Sequence, residues 1–400
     1  MAKILFWPDI YKESGHWLPV VSLAQQLKAK GHTVAFMGIP DNEAIVQPYG
    51  LTFYPILEKF YPLGYTSENK VQDLSKRWRP EHLTPITNGL LDPVINGYAP
   101  DLLVSGYFTA IETLLIYYKY GLNFTITTTY LRHPEEDPAI HALQKLMGLP
   151  KPLALQLMEK VYTGDLASLT VDEFVRPLEE FTELIPCPKD FDFDHYQHMN
   201  NVVYIEPLVE RTYVGTPPKL PDLPVGKEII FATAGSMVHD YIHRARHFFL
   251  EMIKMMKGQG MQGYYLVLAV GPQFMEEDWG EIPSNVTKLA WVPQWDLLQK
   301  TSVAFIHGGL ATLKESIYWG VPTVVIPLGK DQMENALRLH DKQIGITSNA
   351  DSVDQDVLRN LLIRVRTDVW IKNNLDRMKA LFRQIESEKP GVELIHSTLP

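Results

Sequence analysis

The two halves of the chain open with the same pattern, an apolar strand followed by a turn and an amphipathic helix. In the first half, Lys3–Trp7 reads as a buried strand, and the helix after it leads to a second strand at residues 33–37. In the second half, a strand at residues 229–232 and a turn at residues 233–236 precede a helix that runs to Met256. Alternating strands and helices build parallel sheets. The sequence therefore predicts an α/β fold with two doubly wound, Rossmann-like domains.

A proline-rich stretch separates the two halves. Five prolines fall between residues 207 and 224, where hydrophobic periodicity is weak. We place a linker at residues 215–226, between an N-terminal domain (1–214) and a C-terminal domain (227–380), and expect residues 381–400 to pack back on the first. The two sheets are expected to face each other across a cleft, with the site at the carboxyl ends of the strands. Further strands are predicted at residues 102–105, 264–270, 286–290, 303–306 and 323–326.

Composition excludes several classes of protein. Hydrophobic residues make up 46% and charged residues 21% of the 400 residues, which argues against a largely disordered chain. The formal net charge of −10 argues against nucleic acid as a partner. The single cysteine, Cys187, excludes an internal disulfide and fits a reducing cytoplasm. We find no apolar run of about 18 residues and no signal peptide, so we expect a cytoplasmic protein without a transmembrane segment.

The most informative stretch lies between residues 291 and 335. It begins with Trp-Val-Pro-Gln at Trp291, and it places His-Gly-Gly at residues 307–309 between a predicted strand and a predicted helix. Glycines at a helix N-terminus expose backbone N–H groups and the positive end of the helix dipole, which suits a diphosphate. Glu315, one turn into the helix, can accept hydrogen bonds from a vicinal diol such as ribose. Trp291 offers a flat face for a base, since base stacking is worth about 1–3 kcal/mol.

These residues resemble the nucleotide-sugar-dependent glycosyltransferase superfamily with the GT-B fold, which includes plant secondary-product and bacterial macrolide glycosyltransferases. The resemblance fixes about a dozen positions, far more than a lone glycine motif. It implies that a UDP-sugar is the co-substrate, with glucose favoured by Asp331-Gln332, and that no metal or other cofactor is needed. The chain departs from the usual Asn-Ser pattern at Ala311-Thr312. The residues predicted to bind the base, ribose, phosphates and sugar of the donor are Ser236, Trp291, Gln294, His307, Gly308, Gly309, Thr312, Glu315, Asp331 and Gln332.

Inverting sugar transfer needs a base that takes the proton of the acceptor hydroxyl. His16 lies in a Gly-His-x-x-Pro pattern after the first strand, and the resemblance implies that it is this base. An aspartate of the superfamily that usually bonds this histidine is replaced here by Gly106, after the strand at residues 102–105. If no other carboxylate serves, Gly106→Asp should raise turnover. The open alternatives in the sequence are Asp9, Glu13 and Glu112.

The sequence indicates less about the acceptor site than about the donor site. Aromatic residues in the N-terminal half indicate an apolar pocket for a hydroxylated small molecule, and we name Trp17 and Tyr65 as candidate contacts. The leading hypothesis is a glycosyltransferase that moves a hexose to a lipophilic acceptor with inversion. One alternative is a non-catalytic nucleotide-sugar-binding auxiliary protein, suggested by Gly106 and Ala311. Another is a related GT-B enzyme that acts on a lipid intermediate.

Two further groups of polar residues have side chains that could bind a metal. One repeats at helical spacing, and the other alternates in an extended segment. We interpret both as ordinary polar residues rather than metal sites. The two groups are His239, His243 and His247, and Asp190, Asp192 and Asp194.

Overall fold

The chain forms two compact units, each built on its own sheet. The computed structural model describes residues 1–66, 78–199 and 201–399. Unlike the sequence-based division, residues 188–193 join the second unit, and the final segment begins at residue 388 because a helix extends that far. The first unit comprises Met1–Cys187, Asp194–Gly215 and Glu388–Pro400, and the second comprises Pro188–Phe193 and Thr216–Ser387.

The first unit contains a seven-stranded parallel sheet. Its strands are β1 (Lys3–Trp7), β2 (Thr33–Gly38), β3 (Thr52–Pro55), β4 (Leu102–Gly106), β5 (Phe124–Thr127), β6 (Thr182–Ile185) and β7 (Val202–Tyr204), in the order β3-β2-β1-β4-β5-β6-β7. Central β1 pairs with β2 and β4, and Leu5 stands opposite Ala35 and Leu103. The continuous apolar run of β1 is buried from residue 4 to residue 7, as expected for a strand covered on both faces.

Helices cover this sheet. They are α1 (Ser14–Ala29), α2 (Glu43–Val46), α3 (Leu83–Thr87), α4 (Asp92–Tyr98), α5 (Ala110–Tyr120), α6 (Pro138–Met147), α7 (Lys151–Val161), α8 (Val171–Val175) and α9 (Pro177–Glu180). The sequence placed Gly15 in a loop and Pro19 in the first helical turn, but α1 begins at Ser14, so Pro19 lies inside it. The amide of Trp17 already bonds Glu13 O, and His16 therefore belongs to the first turn of the helix.

The second unit contains a six-stranded parallel sheet. Its strands are β8 (Glu228–Thr233), β9 (Tyr264–Ala269), β10 (Val286–Leu289), β11 (Thr301–Ile306), β12 (Thr323–Val325) and β13 (Gly345–Thr347), in the order β10-β9-β8-β11-β12-β13. Its helices are α10 (Ile242–Lys257), α11 (Gln294–Leu298), α12 (Leu310–Trp319), α13 (Gln332–Asp341), α14 (Gln355–Thr367) and α15 (Val369–Glu388). The prediction of two parallel α/β sheets is confirmed.

The strand order reverses once in each sheet, between β1 and β4 and between β8 and β11. Ligands of such sheets bind beside these switch points, outside the carboxyl ends of the strands. The loop after β1 leads to His16, and the loops after β8 and β11 carry Ser236 and Gly308. The topology thus brings the predicted residues to the two positions where an α/β protein builds its sites.

The last helix, α16 (Pro390–Thr398), belongs to the first unit. Val392 and Ile395 pack into the same hydrophobic cluster as Val20 and Leu23 of α1. Within the described ranges, no helix has both the length and the apolar composition needed to cross a bilayer.

Candidate active site

His16 forms a close pair with a carboxylate that precedes it by seven residues. Its Nδ1 lies 2.5 Å from Oδ2 of Asp9, a short hydrogen bond of the kind that charge strengthens. The other oxygen of Asp9, Oδ1, accepts a hydrogen bond of 3.2 Å from the backbone N–H of Tyr11. Asp9 is buried and His16 is partly exposed, so the pair has one inner and one outer member.

Gly106 cannot supply the carboxylate that the sequence showed to be missing there. A Cβ at Gly106, the last residue of β4, would overlap the carbonyl oxygen of Pro8, which follows β1. The condition on which Gly106→Asp was expected to raise turnover is not met, because Asp9 lies beside His16, and the backbone leaves no room for a side chain at residue 106. Glu112 is also unsuitable, since its Oε1 is committed to His82 Nε2 at 2.8 Å and to Trp78 Nε1 at 3.2 Å.

One group of metal-ligand types, formed by Asp9, Glu13 and His16, stands out within the described parts of the chain, with its ligand atoms within 4.8 Å of one another. Two ligands of a tetrahedral Zn²⁺ lie roughly 3.3 Å apart. The 2.5 Å between His16 and Asp9 is instead a hydrogen-bond distance. The geometry favours a proton-sharing pair over a cation site.

An aromatic cluster adjoins the His16 ring. Phe108, just after β4, stacks on His16 with ring centroids 4.9 Å apart, and Tyr130 stacks on Phe108 at 5.6 Å. His141 on α6 meets Phe108 edge-on at 5.8 Å and also lines a cavity of about 210 Å³ beside Trp78. Burial lowers the pKa of His141 to about 4, and the nearby Lys145 adds to this effect, so His141 is neutral at pH 7. The sequence analysis missed these residues, although Phe108 could have been found from its place beside the switch point.

The two predicted acceptor residues lie elsewhere. Trp17 is fully buried against Phe36, and its indole N–H donates to the Tyr11 carbonyl. A fully buried side chain offers no surface to an acceptor, so the structure contradicts that role for Trp17. Tyr65 is half-buried and packs edge-on against Tyr61, outside the cluster around His16.

In the second unit, the predicted phosphate loop has the backbone that its glycines allow. Gly308 has φ +94°, and a Cβ there would come within 2.8 Å of Val325 and 3.0 Å of the Gln332 carbonyl oxygen. Gly309 is the N-cap of α12, and glycine has no side chain to bond the first N–H groups of the helix. The start of α12 therefore presents backbone donors at the carboxyl end of β11.

The ring of His307 lies against the backbones of both loops at this switch point. A Cβ at either Gly235 or Gly309 would overlap the imidazole. Burial lowers the pKa of His307 to about 4, against a smaller opposing contribution from the Thr233 backbone. His307 is therefore neutral at pH 7 and can offer a phosphate an N–H group but no positive charge.

Three of the predicted donor residues come together on α11 and α12. Gln294 Nε2 donates to Glu315 Oε2 at 2.7 Å, and the same amide lies 3.4 Å from Thr312 Oγ1. Residues 18 and 21 positions apart in the chain thus form one polar cluster. Trp291, just before this cluster, leaves 62% of its surface exposed, and Ser236 is also exposed.

Asp331 and Gln332 play different parts at the start of α13. The side-chain carbonyl of Gln332 accepts from the N–H groups of Leu328 and Gly329 at 2.8 and 3.1 Å, so it holds the loop after β12. Asp331 is half-buried and accepts from Asn335 Nδ2 at 3.0 Å. Of the two predicted sugar contacts, Asp331 keeps more of its hydrogen-bonding capacity for a ligand.

Of the other polar residues singled out from the sequence, three make structural contacts, and His243, Asp190 and Asp194 are exposed. His247 Nε2 bonds the Val353 carbonyl at 2.8 Å, and His239 lies 3.2 Å from Asp240. Asp192 is fully buried in an ion pair with Arg338, at 2.7 Å. The sequence analysis interpreted Asp192 as an ordinary polar residue and missed this buried ion pair, because Arg338 is 146 residues away in the sequence.

The sequence of the chain is similar to those of known sugar-transferring proteins. The family described as UDP-glucoronosyl and UDP-glucosyl transferase matches residues 272–390. Demethyllactenocin mycarosyltransferase from Streptomyces fradiae is 23% identical over 419 aligned positions, which cover 100% of this chain and 87% of that protein. Other curated relatives match over shorter stretches, so that the chain aligns with only 33% or 21% of their lengths.

Solved structures share the fold over the whole chain. The glycotransferase of kitacinnamycin has a TM-score of 0.72 at 20% identity, covering 100% of this chain and 99% of that one. Spinosyn rhamnosyltransferase SpnG complexed with thymidine diphosphate has a TM-score of 0.65 at 16% identity, covering 100% of both chains. Residues 272–390 thus match the UDP-glucoronosyl and UDP-glucosyl transferase family, and the whole chain has the GT-B fold. Together with the homologues, these matches support a sugar-transferring enzyme of the UDP-sugar glycosyltransferase superfamily, similar to bacterial macrolide glycosyltransferases.

Proposed function

We propose that the chain transfers a hexose, glucose from UDP-glucose, to a hydroxyl group of a lipophilic small molecule, with inversion at the anomeric carbon. The observation that carries the proposal is the cluster in which Gln294 holds the Glu315 carboxylate beside Thr312 at the start of α12. A carboxylate fixed next to a diphosphate loop suits the ribose of a nucleotide. Transfer without a metal or other cofactor, in the cytoplasm, is part of this proposal.

The chemistry requires one proton transfer and one displacement. His16 Nε2 takes the proton of the acceptor hydroxyl while that oxygen attacks the anomeric carbon. The bond from this carbon to the diphosphate oxygen breaks, and its electron pair leaves with the UDP. Backbone N–H groups at the start of α12, next to Gly308 and Gly309, stabilise the negative charge that develops on the leaving group.

The sugar assignment depends on α13. Asp331 can accept hydrogen bonds from sugar hydroxyls, and the Asp-Gln pair at this place favours glucose by resemblance. Because Gln332 uses its carbonyl oxygen to hold residues 328 and 329, only its NH₂ group is left for the sugar. We therefore assign most of the hydroxyl recognition to Asp331.

The acceptor assignment depends on the aromatic cluster of the first unit. Phe108 and Tyr130 provide apolar surface next to His16. His141, which meets Phe108 edge-on, also lines the cavity beside Trp78. Apolar walls with a few polar groups are typical of small-molecule sites. The non-catalytic alternative loses its main support, because Asp9 provides the carboxylate that Gly106 lacks.

Nucleoside diphosphates test the donor assignment. UDP should bind at least about tenfold tighter than dUDP, because a ribose 2′-hydroxyl bonded to the Glu315 carboxylate is worth about 1.5–3 kcal/mol. Glu315→Gln should narrow this ratio, whereas Glu281→Gln, at an exposed position of the same unit, should leave it unchanged. Isothermal titration calorimetry with UDP and dUDP gives the affinities of the wild type and both variants.

A third ligand separates the two donor classes. dTDP differs from dUDP only by the methyl group of the base, so its affinity reports on the base pocket alone. Equal binding of UDP and dUDP to the wild type would contradict the ribose contact. Tighter binding of dTDP than of UDP would replace UDP-glucose by a dTDP-sugar as the donor.

A further inference from the structure

We propose that Asp9 is the positioning residue of the catalytic base: it orients His16 and stabilises its imidazolium from the loop after β1, not from the end of β4. The inference rests on the proposed function, because it concerns the same proton transfer. It assigns the acidic partner to a residue that lies only seven positions from the histidine.

The carboxylate of Asp9 is held at both oxygens. Oδ2 lies 2.5 Å from His16 Nδ1, and Oδ1 accepts from the backbone N–H of Tyr11. The side chain is buried, so water competes little for these bonds. A carboxylate fixed in this way can orient an imidazole without first losing rotational freedom of its own.

The loop that supplies Asp9 also explains Gly106. The carbonyl of Pro8 occupies the space into which a side chain at residue 106 would project. The same turn places the next residue, Asp9, beside the His16 ring. The path of residues 8 and 9 therefore both excludes a side chain at residue 106 and brings the Asp9 carboxylate to His16.

The remaining carboxylates are less suitable partners. Glu13 Oε2 is 3.9 Å from the same nitrogen, beyond hydrogen-bond distance. Glu112 is fully buried on α5, where its carboxylate is already hydrogen-bonded to the His82 ring. Burial opposes the ionisation of Glu112, but His82 outweighs this effect and lowers the pKa of Glu112. Among the described residues, Tyr11 in the loop and His141 and Lys145 on α6 are further titratable groups that interact with Asp9.

Asp9 also decides which nitrogen is the base. An ionised carboxylate only accepts hydrogen bonds, so the proton of neutral His16 must lie on Nδ1, which leaves the lone pair on Nε2. When Nε2 takes the acceptor proton, the nearby negative charge stabilises the imidazolium. An asparagine at residue 9 can offer its NH₂ group to Nδ1 and so favour the opposite tautomer.

Asp9→Asn tests the inference. We expect kcat to fall by about 10²–10⁴-fold with an unchanged KM for the donor. The acidic limb of the pH–rate profile should move to lower pH, because the imidazolium loses a nearby negative charge that stabilises it. The ¹⁵N shifts of His16 should report a change from the Nδ1–H to the Nε2–H tautomer. Thermal unfolding and UDP binding check that the variant is folded.

Two further variants identify which proposal fails if one does. Glu13→Gln removes the other nearby carboxylate and should change kcat and the acidic limb much less than Asp9→Asn. His16→Ala should abolish transfer and keep UDP binding; retained transfer would overturn His16 as the base, and with it the proposed function as written. If His16→Ala is inactive but Asp9→Asn keeps the wild-type rate, tautomer and pH profile, the assignment of Asp9 alone is wrong.

Discussion

Trp291 shows how a single exposed residue can be informative. It leaves 62% of its surface uncovered, although tryptophan has one of the largest apolar surfaces of any side chain. The neighbouring Gln294, Thr312 and Glu315 are hydrogen-bonded to one another, and they form the proposed ribose site. An aromatic face left open beside such a cluster is suited to stacking on a base.

Trp291→Ala should weaken UDP binding by about 1–3 kcal/mol, roughly tenfold to a hundredfold, since base stacking is lost. The matched control is Trp370→Ala on α15, which removes an equally large exposed side chain of the same unit. Calorimetry with UDP compares the two variants. Equal affinities for UDP would show that Trp291 does not contact the base.

Helix α13 connects the glycine loop to a distant part of the chain. Arg338 forms its buried ion pair with Asp192 and lies 3.4 Å from Asn335 Oδ1. Asn335 Nδ2 in turn donates to the carbonyl of Gly308 at 3.0 Å. This series of contacts fixes the loop after β11 through a helix whose own position depends on residues 188–193.

Asp192→Asn should destabilise the second unit by about 3–5 kcal/mol, because it removes the charge of the buried partner that Arg338 contacts at 2.7 Å. The half-exposed Glu334, 3.5 Å from the guanidinium, is a weaker partner. Asp351→Asn is the control: Asp351 pairs with Arg244 at 2.9 Å, but both side chains are exposed. Exposed pairs contribute about 0–1 kcal/mol. Urea unfolding, followed by tryptophan fluorescence, measures the free energy of unfolding of both variants. Equal losses of stability would mean that burial of the Asp192–Arg338 pair does not add to its contribution.

At the scale of the whole molecule, the two units are not consecutive in sequence. The chain first enters the second unit at Pro188–Phe193 and then returns to the first unit at residue 194. It forms the rest of the second unit from residue 216 and returns to the first unit at residue 388. Glu206 holds the returning helix, since its carboxylate accepts from the N–H groups of Gly391 and Val392. Burial raises the pKa of Glu206, partly offset by these same hydrogen bonds.

Ile395→Ala should destabilise the first unit by about 2–5 kcal/mol, because it opens a cavity between α16 and α1. Ile363→Ala on α14, where the side chain is exposed, should cost less than about 0.5 kcal/mol. Hydrogen exchange localises the effect: amides of β1 and β2 should lose protection and those of β8 and β9 should not. Equal loss in both sheets would contradict the assignment of α16 to the first unit.

The sequence by itself determined eight of the strands and the glycine loop, whereas it did not predict β3, β5, β6, β7 or β13. Their signals are local: an apolar run marks β1 and β11, and a glycine pair between a strand and a helix marks residues 308 and 309. Predicted strand ends differ from the observed ones by one or two residues, as at β8 and β11. Spacing within about 45 residues was enough to predict all the candidate donor residues except Ser236, because β11, α12 and the start of α13 follow one another in the chain.

Only the tertiary structure decided which side chains face one another. It paired His16 with Asp9 rather than Glu13, and it excluded a side chain at Gly106 through the carbonyl of Pro8. It also buried Trp17, which composition alone had left available to an acceptor. Hydrophobic periodicity shows which face of a helix or strand is apolar. The contacts of Asp9, Gly106 and Trp17 depend instead on the path of a loop and on packing between strands nearly 100 residues apart, and no local sequence pattern encodes these.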